Sequence, residues 1–331
     1  MGSSGSNPNS SYKMPVTEQL KLTNEWDKIF PLSDKVNHQK VTYVNRYGIT
    51  LAADLYTPKE AKGKLPGIAV GSPYGAVKEQ ASGIYAMKMA ERGYVTLAFD
   101  PSFCGESGGN VRLVSSPDIN TEDFCASVDY LICLDNVDPE KIGIIGICGF
   151  GGLSISAAAM DPRIKATVSS TMGSFDDHTH EKRIAERKRL CEIRTKDVKN
   201  GKYENAPVLP NPCPDDAPDF MKDYFDFYCT KRGYHPRSTN SGLGWNATTS
   251  LSHITFPLFD FAEEIESAVL LVHGDKAYSY YASEKVMKLL KGDNKEFYTV
   301  EGATHCDLYD GGKNNYIPFD KIDEFFKKYL K

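Results

Sequence analysis

The feature that most constrains the fold of this 331-residue chain is a buried strand followed by a glycine-rich turn and a helix. The β-branched run at 141–145 predicts a parallel strand, and the small-residue pattern at 153–160 predicts a helix that ends before Asp161-Pro162. Between them lies Gly146-Ile147-Cys148-Gly149-Phe150-Gly151-Gly152. A tight connection of this kind lifts one side chain above the edge of a sheet, at the N-terminus of a helix. In this chain that side chain is the thiol of Cys148.

The surroundings of Cys148 are typical of a nucleophile. A helix N-terminus favours an anion, so we expect the pKa of this thiol to lie below its ordinary value. Gly146 is the small residue that such a turn needs two positions before the nucleophile, but Phe150 occupies the matching position after it. Because Gly149 and Gly151 flank Phe150, the small residues are expected to shift by one. The alternative is a buried structural cysteine in a glycine-rich turn.

Apolar strands alternate with helical patterns along the rest of the chain. We predict strands at 41–46, 50–56, 65–71, 94–99, 141–145, 165–170, 268–273 and 296–300. Helices are predicted at 79–92, 121–134, 153–160, 281–290 and 320–329. This order predicts an α/β fold with a mostly parallel twisted sheet and helices on both faces. Sites in such sheets lie beyond the carboxyl ends of the strands, where Cys148, Tyr74, Asp275 and His305 are all predicted to fall.

One region interrupts the alternation. Residues 176–266 are rich in charged and aromatic side chains and have five prolines between 207 and 218. Because the region lies between two predicted sheet strands, we expect it to form a cap over the strand ends. The chain is therefore divided into a disordered or tag-derived leader (1–15), a first part of the core (16–175), an inserted cap (176–266) and a second part of the core (267–331).

Composition narrows the class of protein. A net charge of −5 with no concentrated basic stripe argues against nucleic-acid binding. No apolar run approaches the length of a membrane span, and no signal peptide is evident at the start, so a cytoplasmic location without membrane association is expected. The eight cysteines lack paired CxxC spacing, which favours free thiols and no metal or cofactor. The expected partner is a small molecule with an acyl group, and a homodimer is left open.

Several further motifs carry a resemblance to a known family. They are Gly105-Glu106-Ser107-Gly108-Gly109, Asp161-Pro162-Arg163-Ile164-Lys165, Arg232-Gly233-Tyr234-His235-Pro236 and Gly302-Ala303-Thr304-His305-Cys306-Asp307. With the turn at Cys148, they make the chain from Val41 onward resemble the α/β-hydrolase superfamily. It is most similar to the dienelactone-hydrolase-like group, which includes YcjY-type proteins and fungal polyketide thiohydrolases. The resemblance implies the α/β-hydrolase fold and hydrolysis of a small ester, lactone or thioester through an acyl-cysteine.

The resemblance also implies a triad of nucleophile, histidine and acid in chain order. Cys148 would attack a carbonyl, and His305 would accept its proton and later activate water. The residues themselves agree on His305, because it lies in a loop of small residues directly after the last predicted strand.

The acid of the triad is less clearly indicated. In most α/β-hydrolases it lies three residues after the glycine that ends the penultimate strand, and in this chain that position is Ala277. Asp275, directly after Gly274, is the nearest candidate. Asp176 or Asp177, which follow an earlier strand, are the alternatives.

The remaining site residues follow from the same scheme. The oxyanion hole would use the amides of Gly149 and Tyr74, since Pro73 has no N–H. Four side chains are expected to contact the substrate: Tyr74, Phe150, His235 and Trp245. The alternatives to a hydrolase are an acyltransferase that uses the same Cys–His pair, and a hydrolase-fold binding or sensor protein, which Phe150 and Ala277 favour.

Overall fold

The computed structural model describes residues 10–173 and 179–330. The strands are β1 (Val36–Val44), β2 (Thr50–Pro58), β3 (Leu65–Gly71), β4 (Val95–Phe99), β5 (Val137–Ile147), β6 (Ile164–Ser170), β7 (Asn205–Ala206), β8 (Trp245–Asn246), β9 (Ala268–Gly274) and β10 (Lys295–Val300). The helices are α1 (Ala81–Ala90), α2 (Pro117–Ile132), α3 (Gly149–Met160), α4 (His180–Asn200), α5 (Asp219–Cys229), α6 (Tyr280–Leu289), α7 (Asp307–Asp310) and α8 (Phe319–Tyr329).

The main sheet is mostly parallel. Its strand order is β1-β2-β4-β3-β5-β6-β9-β10, with β2 antiparallel to both β1 and β4 and every other pair parallel. This arrangement confirms the predicted α/β architecture. It also brings the carboxyl ends of β3, β5, β6, β9 and β10 to one edge of the sheet.

Helices cover both faces of the sheet because its central strands are apolar on both sides. Ile68 and Val70 of β3 belong to the apolar cluster that includes α1 and α8, whereas Ala69 belongs to the cluster that includes α2 and α3. Helix α6 packs on the same face as α3, through Val286. Strands buried on both faces read as continuous apolar runs, which is why they could be predicted from the sequence.

Two helices begin four residues earlier than predicted. Helix α2 begins at Pro117 rather than at residue 121, since proline is well suited to the first helical position, where its missing N–H is not needed. Helix α3 begins at Gly149, directly after Cys148, so the glycines that follow Cys148 lie in its first helical turn.

The segment between β6 and β9 is called the insertion below. Its described part, from 179 onward, holds the long polar helix α4, the helix α5 and the short antiparallel pair of β7 with β8. Helix α5 packs onto the core through the buried Phe227 and Tyr228. Within 10–173 and 179–330, no helix combines the length and the apolar character that crossing a bilayer requires.

Candidate active site

Cys148 lies at the sharp turn between β5 and α3. Its backbone has φ 54° and ψ −114°, a conformation that is strained for any residue with a side chain. Two hydrogen bonds hold the turn to the end of β6 and to the residues that follow it: the Cys148 N–H donates to the Ser170 carbonyl at 3.0 Å, and the Gly173 N–H donates to the Cys148 carbonyl at 2.9 Å. A Cβ on Gly146 would lie 2.0 Å from the Phe150 carbonyl oxygen, so strand and helix can approach this closely only with glycine there.

Phe150 points away from the turn and into the core. Its ring lies 5.8 Å from that of Phe99 and 5.7 Å from that of Phe124, and a Cβ on Gly71 would lie 2.6 Å from both Phe150 and Phe124. The expectation that Phe150 contacts the substrate is therefore not met. The close approach to β6 falls instead at Gly151, where a Cβ would lie 2.8 Å from the Ser169 Oγ.

Two backbone amides face the sulfur of Cys148. They belong to Gly149, at the start of α3, and to Tyr74, in the turn after β3. The insertion holds this second turn, because the Asn240 side chain donates to the Tyr74 carbonyl at 2.7 Å and the Ser238 hydroxyl donates to the Gly75 carbonyl at 2.7 Å. The amides named from the sequence as an oxyanion hole are thus brought together around Cys148.

The side chain of Tyr74 has a different role from its amide. Its hydroxyl hydrogen-bonds to Thr249 and Ser115, and its ring stacks on Trp245 with 4.3 Å between ring centres. Trp245 therefore lies behind Tyr74 and does not line the cavity next to Cys148. The predicted direct contact of Trp245 with substrate is not supported by this position.

The thiol of Cys148 is buried and surrounded by tyrosine hydroxyls. The Tyr224 hydroxyl lies 3.9 Å from the sulfur, and the Tyr309 hydroxyl also hydrogen-bonds to it. Burial raises the pKa of the Cys148 thiol, although these hydroxyls and the two amides act in the opposite direction. The direction is the reverse of what the helix N-terminus predicted, because desolvation of a thiolate outweighs a helix terminus here.

His305 lies in the loop between β10 and α7, as predicted. Its carbonyl accepts a hydrogen bond from the Thr171 hydroxyl at 3.1 Å, which ties the loop to the end of β6. The Nε2 atom lies 3.1 Å from the Tyr309 hydroxyl, which also contacts Cys148. Tyr309 therefore stands between the thiol and the imidazole. Burial holds the pKa of His305 well below its ordinary value, and the nearby His273 ring lowers it further.

The structure does not bring Asp275 to His305. The Asp275 carboxylate accepts a hydrogen bond from the Gly302 N–H at 2.7 Å, whereas Nδ1 of His305 lies 2.6 Å from the Ser279 Oγ. The backbone N–H of Asp275 bonds to the Val300 carbonyl, which turns the residue toward the next loop. Serine thus stands where the sequence predicted a carboxylate. Asp176 and Asp177, the alternatives, lie outside the described residues.

Ser279 is in turn bonded to a second buried histidine. The Ser279 Oγ lies 3.0 Å from Nε2 of His273, and Nδ1 of His273 lies 2.7 Å from the Ser283 Oγ. Burial lowers the pKa of His273 to about 3, so this ring is neutral at physiological pH.

A cavity of about 280 Å³ opens next to Cys148. The insertion supplies one wall, chiefly through α5, and none of the described residues that line the cavity is charged. They are Tyr74, Cys148, Gly149, Gly173, Val208, Leu209, Phe220, Met221, Tyr224, Tyr228, Asn240 and Tyr278.

His235 lies away from this cavity. It is buried against the N-terminal segment, with Nε2 3.6 Å from the Asp27 carboxylate and Nδ1 accepting from the Arg237 N–H at 3.3 Å. The predicted contact of His235 with substrate is therefore not supported. Its place is in a buried network of charged side chains.

Carboxylates that could in principle hold a metal ion meet in the same network. Among the described residues, Glu79, Asp100 and Glu106 form such a group. The ammonium of Lys78 already lies between them, 2.7 Å, 2.8 Å and 2.7 Å from their respective oxygens. A lysine cation thus already lies where a metal ion would bind, and it holds the loop after β4.

Sequence reasoning missed several side chains of this site, among them Tyr309, His273 and Ser279. Tyr309 lies four residues after His305, the spacing that places two side chains on one face of a helical turn. His273 interrupts the apolar run of β9, and Ser279 lies in the same loop as Asp275. The polar residue within an apolar strand was the signal that could have pointed to this group.

The fold and the turn at Cys148 define the class of protein as an α/β-hydrolase, as predicted. Within that class, residues 47–212 match the family model described as X-Pro dipeptidyl-peptidase (S15 family), and the chain belongs to this family. The narrower dienelactone-hydrolase-like assignment stays a prediction.

Several known proteins are similar to this chain. The chain is 51% identical over 323 residues to the uncharacterized protein PA2218 of Pseudomonas aeruginosa, with 94% of this chain and 86% of that protein covered. The crystal structure of PA2218 superposes with a TM-score of 0.90 at 50% identity, covering 94% of this chain and 99% of that one. The uncharacterized protein YcjY of Escherichia coli is 35% identical, with 83% and 93% covered. The thiohydrolase aneE of Aspergillus aculeatus is 31% identical over 41% of this chain and 42% of its own.

Proposed function

We propose that this protein hydrolyses small, uncharged carboxylic esters or thioesters through an acyl-cysteine formed on Cys148. One observation carries the proposal: Cys148 occupies a strained turn beside an apolar cavity, with the amides of Gly149 and Tyr74 directed at its sulfur. A strained backbone conformation persists only where the surrounding structure holds it, and such positions are common at active sites. Paired amides at a nucleophile are suited to stabilise an oxyanion.

The reaction would follow from the contacts of Cys148 and His305. As the sulfur bonds to the carbonyl carbon, its proton passes to the Tyr309 oxygen and the Tyr309 proton passes to Nε2 of His305. The carbonyl π electrons move to the oxygen, which the amides of Gly149 and Tyr74 stabilise. When the bond to the leaving group breaks, the proton passes from His305 through the Tyr309 hydroxyl to that group. Water then attacks the thioester carbonyl with His305 as base, the bond between sulfur and carbonyl carbon breaks, the carboxylic acid leaves, and the proton held by His305 returns to the Cys148 sulfur.

The substrate class follows from the cavity. Its described lining is mostly aromatic and aliphatic and carries no charged side chain, so it favours an uncharged acyl group of modest size over one that carries a carboxylate. A thiolate leaves a tetrahedral intermediate readily, which disfavours amides and suits esters, lactones and thioesters. The thiohydrolase name of the relative aneE points to the same class of bond.

The proposal is tested with p-nitrophenyl butyrate and with the thioester S-butanoyl-N-acetylcysteamine. Wild type should release product from at least one of them, and Cys148→Ala should lose at least about a hundredfold in kcat/KM, as loss of a nucleophile requires. Cys125→Ala is the matched control, because Cys125 is also a buried thiol but lies on α2 outside the cavity. Its rate should stay within about twofold of wild type, as is usual for residues outside a site.

Intact-mass measurement during turnover supplies a second readout. A mass increase of one butanoyl group should appear on wild type and be absent from Cys148→Ala. Equal rates for wild type and Cys148→Ala would contradict the proposal. Saturable binding of esters without turnover would instead support the second candidate, a binding or sensor protein, which is favoured by the raised pKa of Cys148 and by the position of Tyr309 between thiol and imidazole. Transfer of the acyl group to an added alcohol would indicate an acyltransferase.

A further inference from the structure

A chain of hydrogen bonds runs inward from His305 and has no counterpart in the predicted triad. Nδ1 of His305 lies 2.6 Å from the Ser279 Oγ, which lies 3.0 Å from Nε2 of His273, whose Nδ1 lies 2.7 Å from the Ser283 Oγ. All four side chains are buried. They come from the end of β9, the start of α6 and the loop after β10, so they meet only when these three segments are packed together.

We propose that Ser279 and His273 act as a neutral positioning pair in place of the triad carboxylate, and that they hold His305 in the tautomer whose Nε2 can accept a proton. This inference rests on the proposed hydrolase function. Ser279 and His273 would act through His305 and would not touch the substrate.

The hydrogen-bond partners in this chain allow this role. If His305 carries its proton on Nδ1, it donates to the Ser279 oxygen, the Ser279 hydroxyl donates to Nε2 of His273, and Nδ1–H of His273 donates to Ser283. Every group in that arrangement has a suitable partner, and Nε2 of His305 is left to accept from the Tyr309 hydroxyl. The tautomer of a histidine is set by the bond that its other nitrogen makes, so in this arrangement the contact of Ser279 with Nδ1 leaves Nε2 as the basic nitrogen.

The side chains that pack around His305 are mainly aromatic rings. Rings of Tyr224, Tyr278 and Tyr309 lie with their centres 5.3 Å, 5.5 Å and 5.4 Å from its ring. The only other titratable ring that packs beside it in the described part of the chain is His273, at 6.3 Å.

The described acids on the neighbouring elements are engaged with backbone amides near His305. Asp223 of α5 accepts from the Cys306 N–H, Asp275 from the Gly302 N–H and Asp307 from the Thr304 N–H. His305 therefore rests as a neutral base, and a charged imidazolium forms only during the reaction.

The experiment compares Ser279→Ala, Ser279→Asp and Ser127→Ala as purified full-length proteins. Ser127 is the matched control. Its hydroxyl is also buried, but it lies on α2, outside the cavity, and bonds to Tyr43. Hydrolysis of p-nitrophenyl butyrate is followed from pH 5 to 9. We expect Ser279→Ala to lower kcat at least about tenfold with KM little changed, because the basic nitrogen is no longer specified. Ser127→Ala should keep the wild-type kcat.

Ser279→Asp separates a positioning role from a merely structural one. A carboxylate next to Nδ1 should stabilise the imidazolium and move the acidic limb of the pH profile upward by about one unit or more. An unshifted limb in Ser279→Asp, or a kcat for Ser279→Ala equal to that of Ser127→Ala, would overturn the proposal.

A direct readout does not depend on turnover. Nitrogen-15 NMR of wild type at pH 7 should find His305 protonated on Nδ1 and bare on Nε2, and Ser279→Ala should lose that preference. A His305 protonated on Nε2 would overturn the proposal. If wild type hydrolyses no ester or thioester, the proposed function fails, and the NMR result still decides whether Ser279 and His273 set the tautomer.

Discussion

At the scale of single residues, Cys148 and His305 are both placed where burial disfavours their charged forms. Burial raises the pKa of the Cys148 thiol and lowers the pKa of the His305 imidazole. Both shifts favour the neutral pair over a thiolate–imidazolium pair. The thiol of the resting protein is therefore protonated, and its nucleophilicity depends on proton transfer at the moment of attack rather than on a standing negative charge.

Alkylation with iodoacetamide tests this resting state. At pH 7 we expect the exposed Cys191 to be alkylated before Cys148, since iodoacetamide reacts with thiolates that it can reach. The labelling rate of Cys148 should rise with pH beyond the ordinary thiol pKa of about 8.5, because its own pKa is raised. Peptide mapping by mass spectrometry after timed quenching measures both rates. Preferential labelling of Cys148 at pH 7 would contradict a neutral resting pair.

At the scale of elements, the strand, turn and helix around Cys148 could be predicted from local sequence. Glycines, β-branched residues and a proline past the helix end act over a few positions. The orientation of Phe150 could not be predicted in this way, because it depends on space left by Gly71 and on contacts with Phe99 and Phe124, which belong to other elements. Phe150 thus anchors the start of α3 in the core.

Replacement of Phe150 by alanine should destabilise the protein. A fully buried phenylalanine truncated to alanine typically costs about 3–5 kcal/mol in the free energy of unfolding, since a cavity remains. Phe261→Ala is the control, because Phe261 is 57% exposed and should change stability by at most about 0.5 kcal/mol. Urea unfolding followed by circular dichroism measures both. A cost for Phe150→Ala as small as that for Phe261→Ala would mean that Phe150 does not anchor α3.

The partner of His305 marks the limit of sequence reasoning at this scale. The sequence predicts Asp275 as that partner, whereas in the structure Ser279, from the same loop between β9 and α6, contacts Nδ1 of His305. Both residues lie in one short loop, and its conformation decides which of them faces the imidazole. That conformation depends on the hydrogen bond between Asp275 N–H and the Val300 carbonyl of another strand, which local sequence does not reveal.

At the scale of the whole molecule, a buried network of charges joins parts of the chain that are distant in sequence. Lys78, after β3, contacts Glu79, Asp100 and Glu106, and its side chain is fully buried. Arg237 of the insertion adds a contact to Glu79 at 2.8 Å, so the network links the sheet to the insertion. Sequence order predicted the sheet, but not this network, because its members are spread over more than 150 residues.

Removal of the central cation should destabilise the protein in a pH-dependent way. Lys78→Met leaves buried carboxylates without their partner, which typically costs about 3–5 kcal/mol. Lys88→Met is the matched control, since Lys88 forms a partly exposed pair with Glu91 on α1 and such pairs contribute at most about 1 kcal/mol. Urea unfolding of both variants and wild type at pH 7 measures the difference.

The pH dependence gives the sharper test. Burial alone would raise the pKa of Glu106, but Lys78 and Lys40 bring it down to about 2, and Lys78 likewise holds the pKa of Glu79 below its ordinary value despite burial. These lowered values stabilise wild type above the unfolded pKa of about 4.3, and that stabilisation is lost as the pH falls through the folded values.

Without Lys78, burial should raise the pKa values of both carboxyl groups. The carboxylates of the variant would then become protonated as the pH falls, which removes the unpaired charge and its cost in stability. The stability gap between wild type and Lys78→Met should therefore be widest at pH 7 and narrow toward pH 4. A gap that is constant over this range would mean that lost packing of the lysine stem, rather than unpaired charge, causes the destabilisation.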